Sequence, residues 1–386
     1  MTFIRFSQLG RALILLGALL EFSAPAQLSF ILTNNAPAAI PRRASIIFIQ
    51  VDGLGYGDLS CYGQTKFQTP NLDKLAAEGI RFTNYFVAEA SSPSHAALML
   101  GKNPAHLIQR ADADVPLAAD EITVAQLLKN SGYHTGIIGK WNLGDENSRG
   151  APWKKGFDEF AGYLDSGNAA HFYDDYVFRY APRGSYDETN MQWNAYVGRE
   201  MIYPNTKGKN QYIPDLLTQA ALNFVKNNQP DQFNHYQPFF LLLNYQIPNE
   251  KIQVPTDAPF SEEPWPQPEK NQAALISRLD GYVGQLSEQL DKLGMTNNVV
   301  ILFSSASVPK KSLEIDPDFF HSNISTNDFR VPMIVHWPET IPAGQVSGLK
   351  WSPPDFLPTA TEIAFIKSPT NIDGISILSG LTGRPK

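Results

Sequence analysis

A few side chains of this sequence could carry out chemistry if the fold brought them together. The run Ser91-Ser92-Pro93-Ser94-His95 places a hydroxyl four residues before an imidazole, and a further histidine stands at His321. An alkyl hydroxyl is a weak nucleophile unless a base or a metal activates it. Neutral histidine titrates near working pH, so His95 and His321 could form an acid/base pair. The other interpretation gives the two histidines no chemical role and makes Ser91 the start of a core-packed helix.

Two further polar features have weaker signals. His171, Asp174 and Asp175 are spaced like a loose metal cluster, although a solvated loop has the same composition. Cys61 is the single cysteine, so no disulfide can form within the chain. Neither feature by its spacing defines a site.

The elements that must position these groups follow from hydrophobic periodicity. Buried strands are predicted at Ser45 to Val51, His134 to Gly139, Pro238 to Tyr245, Asn298 to Ser304 and Val331 to Trp337. Helices are predicted at Thr69 to Gly79, Thr123 to Asn130, Gln272 to Leu293 and Asp355 to Ala364. Strands alternating with helices predict an α/β fold, a mostly parallel central sheet with helices on both faces.

Sites in such sheets form at the carboxyl ends of strands. Asp52 directly follows the apolar run SIIFIQV and therefore stands at such an end. The segment Asn142 to Tyr236 is rich in Gly, Asn, Tyr and Asp, and we predict that it holds loops and the rim of a substrate site.

Composition excludes one class of partner. The chain has 386 residues, of which 43% are hydrophobic and 18% charged, enough to bury a large core. The formal net charge is -7, whereas proteins that bind nucleic-acid backbones usually carry a basic balance or stripe. We therefore expect no nucleic-acid partner.

The N-terminus has the features of a secretory signal. Arg5 and Arg11 precede the apolar run Ala12 to Leu20, and Ala24-Pro25-Ala26 supplies a small-x-small cleavage pattern. A membrane anchor is the rival interpretation, but this run is far shorter than the roughly 20 residues that span a bilayer. We predict a signal peptide over 1–26, an N-terminal tail over 27–43 and an α/β domain over 44–386. The expected location is secreted or periplasmic, with no membrane span after cleavage.

Five segments together resemble the sulfatase family of the alkaline phosphatase superfamily. They are Val51 to Pro104, Gly139 to Gly144 (GKWNLG), Pro238 to Asn249 (PFFLLLNYQIPN), Arg330 to Val346 (RVPMIVHWPETIPAGQV) and Asp373 to Gly383 (DGISILSGLTG). The resemblance implies an arylsulfatase-like hydrolase of sulfuric esters. It also implies a smaller C-terminal domain after the last segment, which we expect to be missing because the chain ends there.

Family members use a formylglycine made from Cys or Ser in a [CS]-x-P-x-R motif, beside a calcium ion bound by oxygen ligands. By resemblance, the nucleophile position is Ser91, the motif's arginine has become His95, and the lysine of the GKW motif is Lys140. Asp52 matches a metal ligand, while its neighbouring aspartate is replaced by Gly53.

Other family positions also differ. The remaining metal ligands align with Ala306 and Ser307, two histidines with Asn142 and Asn249, and a lysine with His321. Asn142 and Asn249 can still donate hydrogen bonds to a sulfate or sugar oxygen but cannot shuttle a proton. Since Gly, Ala and Ser do not replace carboxylate or carboxamide ligands, we expect neither calcium nor formylglycine here.

These observations lead to one interpretation and two alternatives. We predict a secreted, catalytically impaired pseudo-sulfatase that retains a pocket for an anion, a sulfated sugar or another sulfate ester. The first alternative is an active sulfatase or phosphoesterase that uses Ser91 with His95 or His321 and relaxed metal requirements. The second is the truncated product of a decaying gene.

Overall fold

A strand buried on both faces lies near the middle of the sheet. The computed structural model describes residues 43–383 except 111–114, 166, 168–170, 188–191, 203–204, 209–210, 231–236, 248–251 and 310–328. Strand β1, Ser45–Asp52, is buried at every position and pairs in parallel with the strand Phe239–Gln246 on one side and the strand Val299–Ser305 on the other. Its continuous apolar sequence follows from that double burial. The predicted signal peptide and all but Arg43 of the predicted tail lie outside the described residues.

Ten strands of the described part form one sheet in the order β10-β2-β9-β8-β1-β7-β3-β4-β5-β6. The strands are β1 Ser45–Asp52, β2 Ile80–Phe86, β3 His134–Lys140, β4 Glu159–Tyr163, β5 Tyr176–Asp187, β6 Gln192–Met201, β7 Phe239–Gln246, β8 Val299–Ser305, β9 Arg330–His336 and β10 Gln345–Ser347. The central strands β8, β1, β7, β3 and β4 run parallel, whereas β9, β5 and β6 are antiparallel to their neighbours. The predicted α/β fold with a mostly parallel sheet is confirmed.

Helices cover both faces of this sheet. They are α1 Pro70–Ala77, α2 Ser91–Leu100, α3 Val124–Asn130, α4 Ile213–Asn227, α5 Gln267–Lys292, α6 Phe356–Ile363 and α7 Leu378–Thr382. Alternate residues of β1 join two apolar clusters: Ile47 and Ile49 pack on the side of α4 and α5, and Ile46 and Phe48 on the side of α2 and α6. None of the helices in the described ranges is long and apolar enough to cross a bilayer.

The segment Asn142 to Tyr236, predicted to hold loops and the substrate rim, contains regular structure as well as loops. This segment contains β4, the antiparallel pair β5 and β6, and helix α4. The strands β5 and β6 extend the edge of the sheet, where part of each strand faces solvent, so they lack the continuous apolar run that marks a buried strand.

Candidate active site

Three elements meet at the carboxyl edge of the central strands. Strand β1 ends at Asp52. Strand β3, separated from β1 by β7, ends at Lys140, and α2 begins at Ser91. The exposed fractions are 6% for Asp52, 5% for Lys140 and 3% for His95, while Ser91 is partly exposed. The fold thus brings together four of the residues that the sequence singled out.

Lys140 connects the acid to the hydroxyl. Its Nζ donates a hydrogen bond to Asp52 Oδ2 at 2.6 Å and another to Ser91 Oγ at 3.0 Å. The ion pair is almost fully shielded from water, since the side-chain atoms taken alone are 6% exposed in Lys140 and 8% exposed in Asp52. The described partner of the Ser91 hydroxyl is therefore a lysine.

His95 lies beside the same acid. Its Nε2 is 3.2 Å from Asp52 Oδ1, but the two groups are not aligned for a hydrogen bond. Neither ring nitrogen has a hydrogen-bond partner among the described residues. His321 lies outside the described residues, so the predicted His95–His321 pair stays a prediction.

The surroundings of Asp52 favour its ionised form. Burial by itself would raise the pKa of this carboxyl group, because a low-dielectric environment disfavours the charge. The charge and hydrogen bond of the Lys140 ammonium, together with the electrostatic effect of the nearby His95 ring, outweigh burial and hold the pKa of Asp52 well below its ordinary value. The cluster consequently contains a buried carboxylate with its counter-charge already in place.

The positions that align with the family's other metal ligands are engaged in protein contacts. Gly53, at a φ of 81° that favours glycine, donates its N–H to Ser307 Oγ at 3.1 Å. Ala306 is fully buried, offers no side-chain oxygen, and donates its N–H to Val51 O at 2.9 Å. Calcium takes six to eight oxygen ligands, which in proteins are carboxylates, backbone or side-chain carbonyls, and waters. With one carboxylate, already bound to an ammonium, these residues do not fit calcium.

Of the two asparagines predicted to contact substrate, Asn142 lies within the described residues. Asn142 is 2% exposed with a φ of 57°, and its backbone N–H binds Leu164 O at 3.1 Å. Its side-chain Oδ1 has no hydrogen-bond partner among the described residues. Asn249 lies outside the described residues, so its substrate role stays a prediction.

Sequence reasoning did not single out the buried amides beneath this cluster. Asn244 of β7 donates from Nδ2 to the carbonyl of Lys140 at 2.8 Å and so fixes the end of β3. Gln50, in register with Asn244 and Ser304, is fully buried. A glutamine or asparagine inside an otherwise apolar strand is the signal that could have indicated them, since such side chains are seldom buried without a purpose.

The loose cluster around His171 is not a metal site in the part of the chain that the structure describes. His171 and Asp175 are exposed, and no three His, Cys, Asp or Glu side chains converge there or elsewhere in the described ranges. Burial raises the pKa of the half-buried Asp174 to about 6. These residues form a loop before β5, as the alternative interpretation had it.

Comparison with known proteins adds independent information. The family model described as Sulfatase matches residues 44–366. N-acetylgalactosamine-6-sulfatase of Canis lupus familiaris is 30% identical over 375 residues, which cover 90% of this chain and 67% of that protein. Arylsulfatase A of Homo sapiens is 28% identical over 373 residues, covering 93% of this chain and 71% of that protein. The chain thus spans about two thirds of the length of these relatives.

Among solved structures, that of Ps i-CgsB in complex with k-i-k-neocarrahexaose is similar to this one. The TM-score is 0.70 at 28% sequence identity, and the match covers 89% of this chain and 77% of that chain.

Proposed function

The chain belongs to the sulfatase family, and from this premise we propose that it is a pseudo-sulfatase. It binds a sulfated sugar or a related anion at the edge formed by β1, β3 and α2, and it does not hydrolyse sulfate esters by the calcium and formylglycine route. The observation that carries this proposal is the buried contact of 2.6 Å between Lys140 Nζ and Asp52 Oδ2.

Electrostatics explain why this contact opposes catalysis. The transition state of sulfuryl transfer is highly anionic, and a working site must present positive charge around the sulfuryl oxygens. Here the Asp52 carboxylate already neutralises the Lys140 ammonium. The residues aligned with the family's other metal ligands, Gly53, Ala306 and Ser307, carry no positive charge. The Ser91 hydroxyl, which accepts a hydrogen bond from Lys140, has no described base beside it. An unactivated hydroxyl attacks slowly.

Weak binding of an anion survives these losses. Ser91 begins a ten-residue helix whose N-cap, Ala90, makes no side-chain cap to the first-turn N–H groups. Unpaired N–H groups at a helix N-terminus attract anions. Ser91 is the partly exposed member of the cluster, so a ligand would approach from its side. The names of the relatives indicate which ligand to try, because several are N-acetylgalactosamine-6-sulfatases.

The experiment combines binding with turnover. Calorimetric titration of the purified chain with N-acetylgalactosamine 6-sulfate should give millimolar to high-micromolar affinity, about 4 to 6 kcal/mol. Lys140→Ala should weaken it, since the variant loses a cation and leaves Asp52 unpaired. Lys154→Ala, which removes an exposed lysine bound to Ser148 O, is the control. Release of sulfate from an aryl sulfate should equal that of Ser91→Ala; calcium-dependent release that Ser91→Ala abolishes would contradict the proposal.

One observation favours a second candidate, a metal-independent esterase. The 3.0 Å contact between Lys140 Nζ and Ser91 Oγ resembles the serine–lysine pairs of some hydrolases. A lysine acts as a base only when it is neutral, whereas this one donates to a buried carboxylate at 2.6 Å. The candidate predicts hydrolysis of phosphate or sulfate esters in the presence of a chelator, lost in both Ser91→Ala and Lys140→Met.

The location and domain limits are part of the same proposal. We propose that residues 1–26 are removed as a signal peptide, that 27–43 form a tail, and that 44–386 form the α/β domain of a secreted or periplasmic protein. N-terminal sequencing of the protein recovered from its native host should begin at residue 27. A mature chain that retains its first residues would contradict cleavage.

A further inference from the structure

The lysine of the cluster sits where a charge is required. Its Nζ lies between Asp52 Oδ2 at 2.6 Å and Ser91 Oγ at 3.0 Å, and so joins the end of β1 to the start of α2. Lys140 is itself the last residue of β3, and its carbonyl is held by Asn244 Nδ2 at 2.8 Å. Hydrogen bonds therefore hold both the ammonium group of Lys140 and the backbone carbonyl of the same residue.

A buried carboxylate needs a counter-charge. Removing one partner of a buried ion pair is strongly destabilising, because the remaining charge has lost both water and its partner. Asp52 is 6% exposed, and the groups facing it are the Lys140 ammonium and, at 3.2 Å, the His95 imidazole. The neighbouring Gly53 and Leu54 present only backbone N–H groups, which bind Ser307 Oγ and Ser305 Oγ.

The same geometry opposes a divalent ion at Asp52 Oδ2. A metal bound to Asp52 Oδ2 would meet the Lys140 ammonium, which already holds that oxygen at hydrogen-bond distance. Two cations at such a separation repel each other strongly in a buried environment. We propose that the Lys140 ammonium is the resident cation of this site, that it takes the place of the family's divalent metal ion, and that it positions Ser91. The inference deepens the proposed function and rests on it for the loss of the metal, but it holds whether or not a sulfated sugar binds.

The first measurement uses the full, unchanged chain. Thermal unfolding in millimolar calcium and in excess chelator should give the same midpoint, because a ligand that does not bind the native state does not stabilise it. A midpoint that calcium raises and Asp52→Asn makes insensitive to calcium would overturn the proposal. Sugar binding plays no part in this readout, so its absence in the assay of the proposed function does not affect the result.

The second measurement tests the charge of Lys140 rather than its packing. Lys140→Met should lower the midpoint by several degrees, because Asp52 is left buried and unpaired. Adding Asp52→Asn should recover most of that loss, since the unpaired charge is removed. Lys155→Met is the matched control: Lys155 is also buried, but its Nζ binds backbone carbonyls including Glu121 O at 2.8 Å. Asp52→Asn should not rescue Lys155→Met.

The outcomes are decisive in both directions. The proposal is supported if Asp52→Asn restores the stability of Lys140→Met but not that of Lys155→Met. It is also supported if Lys140→Met alone fails to fold while the variant with both Lys140→Met and Asp52→Asn folds. A double variant no more stable than Lys140→Met would show that the lysine acts through packing, and the proposal would fail. If neither variant folds, the comparison of calcium with chelator on the unchanged chain decides.

Discussion

Asp58 provides a test of how the loop after β1 is stabilised. The residue is 2% exposed, and its Oδ2 accepts the N–H of Gly55 at 2.7 Å. Burial raises the pKa of this carboxyl group to about 6, despite the opposing effect of the Gly55 N–H. In the unfolded chain the ordinary value is about 3.9. The native state therefore holds the Asp58 proton more tightly by about 2 pK units, which corresponds to about 3 kcal/mol.

The sign follows from proton linkage. Below about pH 4 the carboxyl is protonated in both states, and it contributes its full stability. As the pH rises through the folded pKa of about 6, that contribution is lost, because the unfolded state releases its proton first. Asp58→Asn cannot ionise and preserves an oxygen acceptor for Gly55. The free energy of unfolding of the variant, relative to the unchanged chain, should therefore rise by about 3 kcal/mol between about pH 4 and pH 8.

Denaturant unfolding of both proteins at several pH values measures this difference. Asp120→Asn is the control, because it also removes one negative charge but does so at an exposed acid. A difference for Asp58→Asn that stays constant with pH, or that falls as pH rises, would refute the reasoning. It would mean that the carboxyl is solvated or paired in the native protein.

Two further predictions concern the framework of the site. Gly139→Ala should be far more destabilising than Gly63→Ala, although both positions have positive φ (105° and 108°). The reason is that only at Gly139 would the new Cβ lie 1.9 Å from Asn244 O. Equal losses of unfolding free energy in denaturant would contradict this. Tyr62→Phe should cost about 1 to 3 kcal/mol, since the hydroxyl accepts the buried N–H of Met333 at 2.9 Å; an unchanged unfolding midpoint would show that this N–H has another partner.

Much of the framework could be predicted from local patterns. The apolar run from Ser45 indicated the position of β1 and the placement of Asp52 at its end, and the helix predicted from Thr123 to Asn130 is present as α3. The helix predicted from Gln272 in fact begins at Gln267, because its first turn has little apolar periodicity to mark it. Such patterns are predictive because strand and helix periodicities are properties of neighbouring residues.

The candidate site could be predicted only as a set of residues. The resemblance indicated Ser91, Lys140 and Asp52 as members, but their aligned positions do not say which atoms touch. Nothing in the order of residues indicates that Lys140 binds the acid as well as the hydroxyl, or that His95 lies beside Asp52. Rotamers and contact distances are set by packing of the whole domain.

The sequence by itself determined the types and approximate limits of the buried strands, the family to which the chain belongs, and the residues present at each family position. Tertiary structure decided the antiparallel direction of β9. It also decided that Lys140 pairs with Asp52, which lies 88 residues away along the chain. It also decided how α1 is capped: the carboxylate of Asp280, on α5, accepts the N–H groups of Asn71 and Leu72, whereas the side chain of Thr69, directly before the helix, makes no cap. Local propensity acts through adjacent residues, whereas these contacts depend on the free energy of the assembled sheet and helices, which no short window of sequence contains.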